Sequence, residues 1–241
     1  MLLVHGAWCA AWAWENLIPE LDRLGVSSKA INLPGHGDNT RSMWSVTLAD
    51  YADAVVEAAA SIEGPVIAVG HSMGGMVISE AGARAPEAFK ALTYLAAFVP
   101  RDGERLISLS AKDKQSKLNG AIKPHLFRGT TGLDKNGLDD ALFNDCSVKE
   151  ASYGKSMIQE NPIRPPFSRV QLNEQFEAIP KHYIKCLADQ SISPSHQQWM
   201  ASRYEMRSLQ DIDSGHMASL SSPKAVADAL AKIVAQEVPK T

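Results

Sequence analysis

Short apolar runs alternate with helical stretches through the first 100 residues of this 241-residue chain, and that alternation limits the fold more than any other feature. The runs fall at residues 2–5, 29–33, 65–70 and 91–97. They are apolar on both faces, which fits strands buried inside a parallel sheet. Between them, Trp14, Leu17, Ile18, Leu21 and Leu24 form one helical stripe over residues 10–24, ended by Gly25. Thr47-x-x-Asp50 opens a second helical stretch over 47–62 in the manner of a capping box. Strands and helices in this order predict βαβ units. The texture changes after Pro100: Lys-, Gly- and Pro-rich stretches follow, and Asn161-Pro162 and Pro165-Pro166 interrupt any long helix. Short amphipathic pieces remain at 138–143 and 148–158, with no clear buried strand. The parallel pattern resumes at 182–188 and 205–212, and a last helix starts at Ser222-Pro223, a cap residue with Pro in the first position. The expectation is an α/β fold with a mostly parallel six-stranded sheet flanked by helices. Residues 1–100 and 180–241 form its core, and 101–179 a mostly helical inserted cap.

At about 150 residues per domain the length corresponds to about 1.6 domains, which agrees with one core carrying one insertion. A composition of 45% hydrophobic and 21% charged residues excludes a disordered chain. The net charge of −3 and the absence of a basic run argue against nucleic acid as a partner. No apolar run approaches the roughly 18 residues of a membrane span, and the apolar start reads as a strand rather than a signal peptide. Cys9, Cys146 and Cys186 are an odd, widely spaced set. They suggest buried thiols in a reducing, cytoplasmic setting rather than disulfides or a metal site.

Gly70-His71-Ser72-Met73-Gly74 carries the chemistry. It is a G-x-S-x-G pattern directly after one predicted strand and before the helical stretch 76–85, the setting of a nucleophile elbow. A sharp turn there strains the Ser72 backbone and lifts its hydroxyl to the carboxyl edge of the sheet, at a helix N-terminus. A tight strand-to-helix turn whose serine only caps the helix is the plainer alternative. A serine nucleophile needs a base, and of the seven histidines His216 stands out, in the loop after the last predicted strand. His71 reads as a residue beneath the turn, and His125, His182 and His196 as surface or cap residues. Asp189, at the end of the strand ahead of it, is the expected orienting acid, with Asp213 as its competitor. The order Ser72, Asp189, His216 is one of the known triad orders. The Met73 N–H and the Ala7 N–H, the latter in His5-Gly6-Ala7-Trp8, would complete an oxyanion hole.

With those residues in place the chain resembles the α/β-hydrolases, and most of all the compact group of plant methylesterases, plant hydroxynitrile lyases and bacterial esterases. The resemblance rests on His5-Gly6-Ala7-Trp8 with Trp12 and Trp14, and on Leu33-Pro34-Gly35-His36-Gly37. It extends through Gly70-His71-Ser72-Met73-Gly74-Gly75, Asp189 with Pro194 and Gln198-Trp199, and Gly215-His216-Met217. It implies a serine triad, no cofactor, no metal and a helical cap over an apolar pocket. Lyases of the group carry Lys after the histidine and Thr in the oxyanion loop; Met217 and Gly6 stand there in this chain. The implied activity is hydrolysis of a small apolar ester, with a lyase, a lactonase or a ligand receptor on the same scaffold as alternatives. Leu126, Phe127, Phe143, Tyr153, Met157 and Phe167 are expected pocket walls or cap core, with Gly6 and Met217 beside them. A monomer or homodimer is expected.

Overall fold

The computed structural model describes residues 1–238. Its main sheet contains β1 (Leu2–Val4), β2 (Lys29–Ile31), β3 (Val66–His71), β4 (Phe89–Leu95) and two later strands, Lys181–Cys186 and Ser208–Ile212. All neighbours pair in parallel. Side chains alternate across the sheet, as the period of two requires. Leu2, Val4, Ala68, Leu92 and Tyr94 pack against α2 (Leu48–Ala60) and α3 (Gly74–Arg84) on one face. Leu3, Ile67, Val69, Ala91 and Leu95 pack on the other face, against α1 (Leu17–Arg23) and the last helix, Pro223–Glu237. Both faces are covered, so the central strands β1, β3 and β4 carry no polar stripe. Thr47 caps α2 through a closed capping box with Asp50.

The stretch 10–24 is not one helix. Residues Ala11–Trp14 form a 3₁₀ turn ahead of α1, with i→i+3 bonds from Ala13 to Ala10 and from Glu15 to Trp12. The tighter turn sends Trp12 into a cluster beneath the insertion and Trp14 into the sheet core.

The insertion also departs from expectation. Besides α4 (Leu106–Ser110), it holds a three-stranded antiparallel sheet of β5 (Ile122–His125), β6 (Thr130–Leu133) and β7 (Asn161–Pro162). These strands are short and rich in Thr, Gly, Pro and Lys, so they show no apolar alternation. Their pairing comes from the hairpin turn at Gly129, whose φ is +64°. Helices α5 (Leu138–Ala141) and α6 (Val148–Met157) pack beside that sheet. Both ends of the segment pack on the core. Leu109, Val170, Phe176 and Ile179 join the same buried cluster as Val77 and Leu92, bringing α4, α7 (Arg164–Phe167) and α8 (Glu174–Ala178) onto the core.

The chain then returns to the main sheet through β8 (Lys181–Cys186), α9 (Pro194–Ala201), β9 (Ser208–Ile212), α10 (Ala218–Ser221) and α11 (Pro223–Glu237). Pro223 opens α11, but Ser222 makes no side-chain cap bond. The strand order is β2-β1-β3-β4-β8-β9. The order reverses between β1 and β3, which leave the sheet side by side toward opposite faces. A crevice at the carboxyl edge of such a switch point is where open α/β sheets hold ligands.

Candidate active site

Register places the two critical turns next to each other. Val4 pairs with Gly70, so the chain after β1 and the chain after β3 emerge together. Ser72 follows β3 with φ +54°, a left-handed conformation that costs a residue with a Cβ about 1–2 kcal/mol. The turn is held by Phe98 N–H and Gly75 N–H, each 3.1 Å from the Ser72 carbonyl oxygen. Gly74 is required by contact: a Cβ there would lie 2.6 Å from the Val4 carbonyl oxygen. Across the crevice, a Cβ on Gly6 would lie 2.8 Å from Ser72 Cβ.

The residues after β1 are oriented by His5. Its Nε2 accepts from Leu33 N–H at 3.1 Å, so Nδ1 carries the proton and donates to the Gly6 carbonyl at 2.8 Å. Burial and the neighbouring His36 hold His5 well below the usual imidazole range, which keeps it neutral. Gly6 C=O and Ala7 N–H share one trans peptide plane and point in opposite directions. The bond from His5 therefore sets the direction of the Ala7 N–H. Neither the Ala7 nor the Met73 N–H has a hydrogen-bond partner among the described residues. Trp8, at φ +60°, is clamped by the insertion. Its indole donates to the Thr131 carbonyl at 3.1 Å, its N–H reaches Asn161 Oδ1 at 3.4 Å, and its carbonyl accepts from Gln159 N–H at 3.0 Å.

Asp189 follows β8 and His216 follows β9, on the same edge. His216 Nδ1 lies 2.8 Å from Asp189 Oδ2, and both side chains are buried. The other carboxylate oxygen, Oδ1, accepts from the N–H groups of Ser191 at 2.7 Å and Ile192 at 3.0 Å. Gln197 of α9 donates to Oδ2 at 2.9 Å. Asp213, the competing acid, is exposed. Among the described residues Ser72 Oγ makes no hydrogen bond to His216; such contacts are commonly long without substrate. His71 lies beneath His216, with ring centroids 4.6 Å apart, and its Nε2 donates to the His216 carbonyl at 2.9 Å. Burial and the nearby His216 push His71 down to about 3, so it stays a neutral donor.

The loop carrying His216 is tied to the insertion by Asp145. Its Oδ2 accepts from Gly215 N–H at 2.6 Å, Ser221 Oγ at 2.7 Å and Ser214 Oγ at 2.9 Å. Its neighbour Asn144 donates to the Ala188 carbonyl at 2.9 Å, one residue before Asp189. Asn144, Asp145 and Gln197 had no distinguishing signal in the sequence, because each acts on residues outside its own element.

The expected pocket residues separate. Phe143 and Met217 are buried in one cluster with Trp8 and Trp12, between the loop after β1 and the insertion. Leu126 and Phe127 are not enclosed: at 67% and 100% exposure they occupy the turn where β5 reverses into β6, and no element among the described residues covers them. Phe167 is exposed as well, and Tyr153 and Met157 lie at the surface. Tyr153 meets Trp12 edge-on at 5.9 Å and bonds to Glu15. Two expected surface histidines are buried instead. His182 opens an interior strand, between Ser208 Oγ at 2.8 Å and Glu237 at 3.0 Å, and His196 packs on Trp199 with ring centroids 5.0 Å apart. Among the described residues no three His, Cys, Asp or Glu side chains converge as metal ligands. No helix among them is long and apolar enough to cross a membrane.

A six-stranded parallel sheet with helices on both faces and a serine on a strained strand-to-helix turn defines a class, and comparison with known proteins agrees. The sequence model of the alpha/beta hydrolase family matches residues 1–229, and the chain belongs to that family. It is similar to Methylesterase 2 of Arabidopsis thaliana, with 27% identity over 256 residues, covering 96% of this chain and 94% of the relative. The Alpha-hydroxynitrile lyase of the same plant is 27% identical over 252 residues, covering 96% and 95% of the two chains. In fold it superposes on a pyrethroid hydrolase from Sphingobium faniae JZ-2 with a TM-score of 0.83 and 22% identity, over 99% of this chain and 97% of that one.

Proposed function

We propose that the protein is a serine carboxylic-ester hydrolase that cleaves small alkyl or aryl esters, including methyl esters of aromatic or hormone-like acids, through an acyl-enzyme. The reading rests on one observation above others: a His216–Asp189 contact of 2.8 Å on the sheet edge that carries a serine held at φ +54°. With Nδ1–H directed to Asp189, Nε2 of His216 is the basic nitrogen. It takes the Ser72 Oγ proton as Oγ bonds to the ester carbonyl carbon. The carbonyl π pair moves onto oxygen, which the unspent N–H groups of Ala7 and Met73 receive. When the tetrahedral adduct collapses, the alkoxide leaves as an alcohol with the proton from Nε2. Water, deprotonated by the same nitrogen, then cleaves the acyl-enzyme and restores Ser72.

Two features favour ester hydrolysis over cyanohydrin cleavage, the activity in the name of one relative. Met217 after the base is buried and has no ammonium for a leaving cyanide. The crowding at Gly6 leaves no room for the threonine of the lyases. Three free thiols, two of them buried, support a reducing, cytoplasmic setting, and a monomer or homodimer suffices for the reaction.

The test is a panel of p-nitrophenyl acetate, aliphatic and aromatic methyl esters, and mandelonitrile. Wild type is expected to turn over esters and to leave mandelonitrile at the background rate. Ser72→Ala and His216→Ala are each expected to lose several powers of ten in kcat, non-additively. Full turnover by Ser72→Ala would overturn the assignment, and ligand binding without turnover by wild type would favour a receptor.

A further inference from the structure

We propose that Gln197 is a positioning residue for this reaction: its side-chain amide holds the Asp189 carboxylate in the orientation that aims His216 at Ser72. The inference rests on the ester-hydrolase reading above.

Gln197 lies in the first turns of α9 and is fully buried. Its Oε1 accepts from the Cys186 N–H at 3.1 Å, at the end of β8. Its Nε2 donates to the Ile192 carbonyl at 2.7 Å and to Asp189 Oδ2 at 2.9 Å. These partners decide the amide orientation. Turned over, Oε1 would face a carbonyl and a carboxylate while two N–H groups opposed each other at Cys186. One side chain thus links the end of β8, the loop after it and the carboxylate, with all its polar atoms used.

The consequence for His216 is geometric. Asp189 Oδ1 is held by two backbone N–H groups and Oδ2 by the Gln197 amide, so both ends of the carboxylate are tied by donors other than the imidazole, and the amide is the tie at the oxygen that faces His216. Among the described residues two donors reach Oδ2: Gln197 Nε2 and His216 Nδ1. The imidazole cannot both be aimed and do the aiming, so the amide supplies the fixed reference. It also stabilises negative charge on Oδ2, which lessens the pull of the carboxylate on the imidazole proton.

The ionisable groups around this pair come from several elements. They are His71 at the end of β3, Tyr183 and Cys186 on β8, Asp145 before α6 and His196 on α9. Burial keeps the Tyr183 hydroxyl and the Cys186 thiol well above their ordinary ranges, and burial with His216 keeps His71 near 3. Burial also lowers His196. Asp145 is occupied by its three donors.

The test uses Gln197→Met and Gln197→Glu, with Ser72→Ala alongside, each followed for kcat, KM and the pH dependence of kcat/KM on an ester that wild type hydrolyses. Gln197→Met keeps the length of the side chain and removes the donor. It is expected to lower kcat by roughly 10- to 100-fold, the rate equivalent of one hydrogen bond to a charged group, with KM within about twofold. Its acid limb should move to higher pH, because Oδ2 then loses a competing donor and its charge is directed more fully at the imidazole. Gln197→Glu provides a reading even if Gln197→Met does not fold. Two facing carboxyls share one proton. Protonated, Glu donates to Asp189 as the amide does; deprotonated, it repels it. Activity should approach that of wild type at low pH and fall at a pH where wild type is on its plateau. Wild-type kcat and pH profile in Gln197→Met, or a pH-independent loss in Gln197→Glu, would overturn the positioning role while an inactive Ser72→Ala left the hydrolase reading standing. An active Ser72→Ala would remove both.

Discussion

Position 6 has no room for a side chain. The Cβ of any residue but glycine would stand 2.8 Å from Ser72 Cβ, 3.2 Å from His71 Nδ1 and 3.3 Å from the His71 carbonyl oxygen, two of them backbone-fixed neighbours. Either the elbow or the loop after β1 would have to shift, and displacing a reacting group by about 1 Å can cost roughly 100-fold in rate. Gly6→Thr is therefore expected to lower kcat/KM for esters by about that factor while the protein stays folded, as kinetics and circular dichroism together would show. Kinetics like those of wild type would mean that the loop yields freely. At this scale the sequence is most readable where a residue has a local reason for its identity. Ser72 sits inside a glycine-bounded turn, and Asp189 and His216 each follow a strand. Gln197 and Asp145 have no local reason at all. Gln197 occupies a helix of mixed polarity and Asp145 a polar pair in the insertion, and their partners are 8 and 70 residues away along the chain.

Among the elements, the insertion does more than lie over the site. It holds the loop after β1 through Trp8, the loop after β8 through Asn144 and the loop after β9 through Asp145. Removing the Asp145 carboxylate leaves the buried Gly215 N–H without its acceptor and the Ser214 and Ser221 hydroxyls with only each other and longer contacts to backbone carbonyls, at a cost of about 1–3 kcal/mol. Asp145→Ala is expected to melt at a lower temperature and to lose kcat beyond what its unfolded fraction explains, because the carbonyl and ring of His216 follow Gly215. A melting temperature equal to that of wild type would show that water replaces the carboxylate. The central strands β1, β3 and β4 were legible because buried parallel strands are near-continuous apolar runs, while the edge strands β2 and β9, partly polar and partly exposed, were legible from their place in the alternation with helices. The β5–β6–β7 sheet was not, because strands of four, four and two residues with polar side chains carry no periodic signal.

For the molecule as a whole, the buried histidines set the response to acid. Burial lowers His36 to about 4 and, together with His216, His71 to about 3, while His5 and His182 are lowered as well. A folded chain that keeps these rings neutral binds fewer protons than the unfolded chain below the ordinary imidazole value of about 6.5. Stability is therefore full above about pH 6.5 and falls as the pH drops from there toward about 3–4. The fully buried His36 alone corresponds to a loss on the order of 3 kcal/mol across that window. Urea denaturation midpoints should drop steadily between pH 7 and pH 5 and be flat between pH 7 and pH 8. A midpoint unchanged from pH 7 to pH 5 would contradict neutral burial of these rings.

The amino-acid order alone determined the layered sheet, the elbow at Ser72 and the placing of Asp189 and His216 at strand ends, because hydrophobic period and turn chemistry are local properties. Tertiary structure decided what those positions touch. It set the direction of the Ala7 N–H through His5, the support of Asp189 by Gln197 and the grip of the insertion on three loops. It also left Leu126 and Phe127 in solvent, although their composition suggested a pocket wall. A hydrogen bond between distant residues depends on where the sheet order and the crossovers carry them, and no spacing along the chain encodes that.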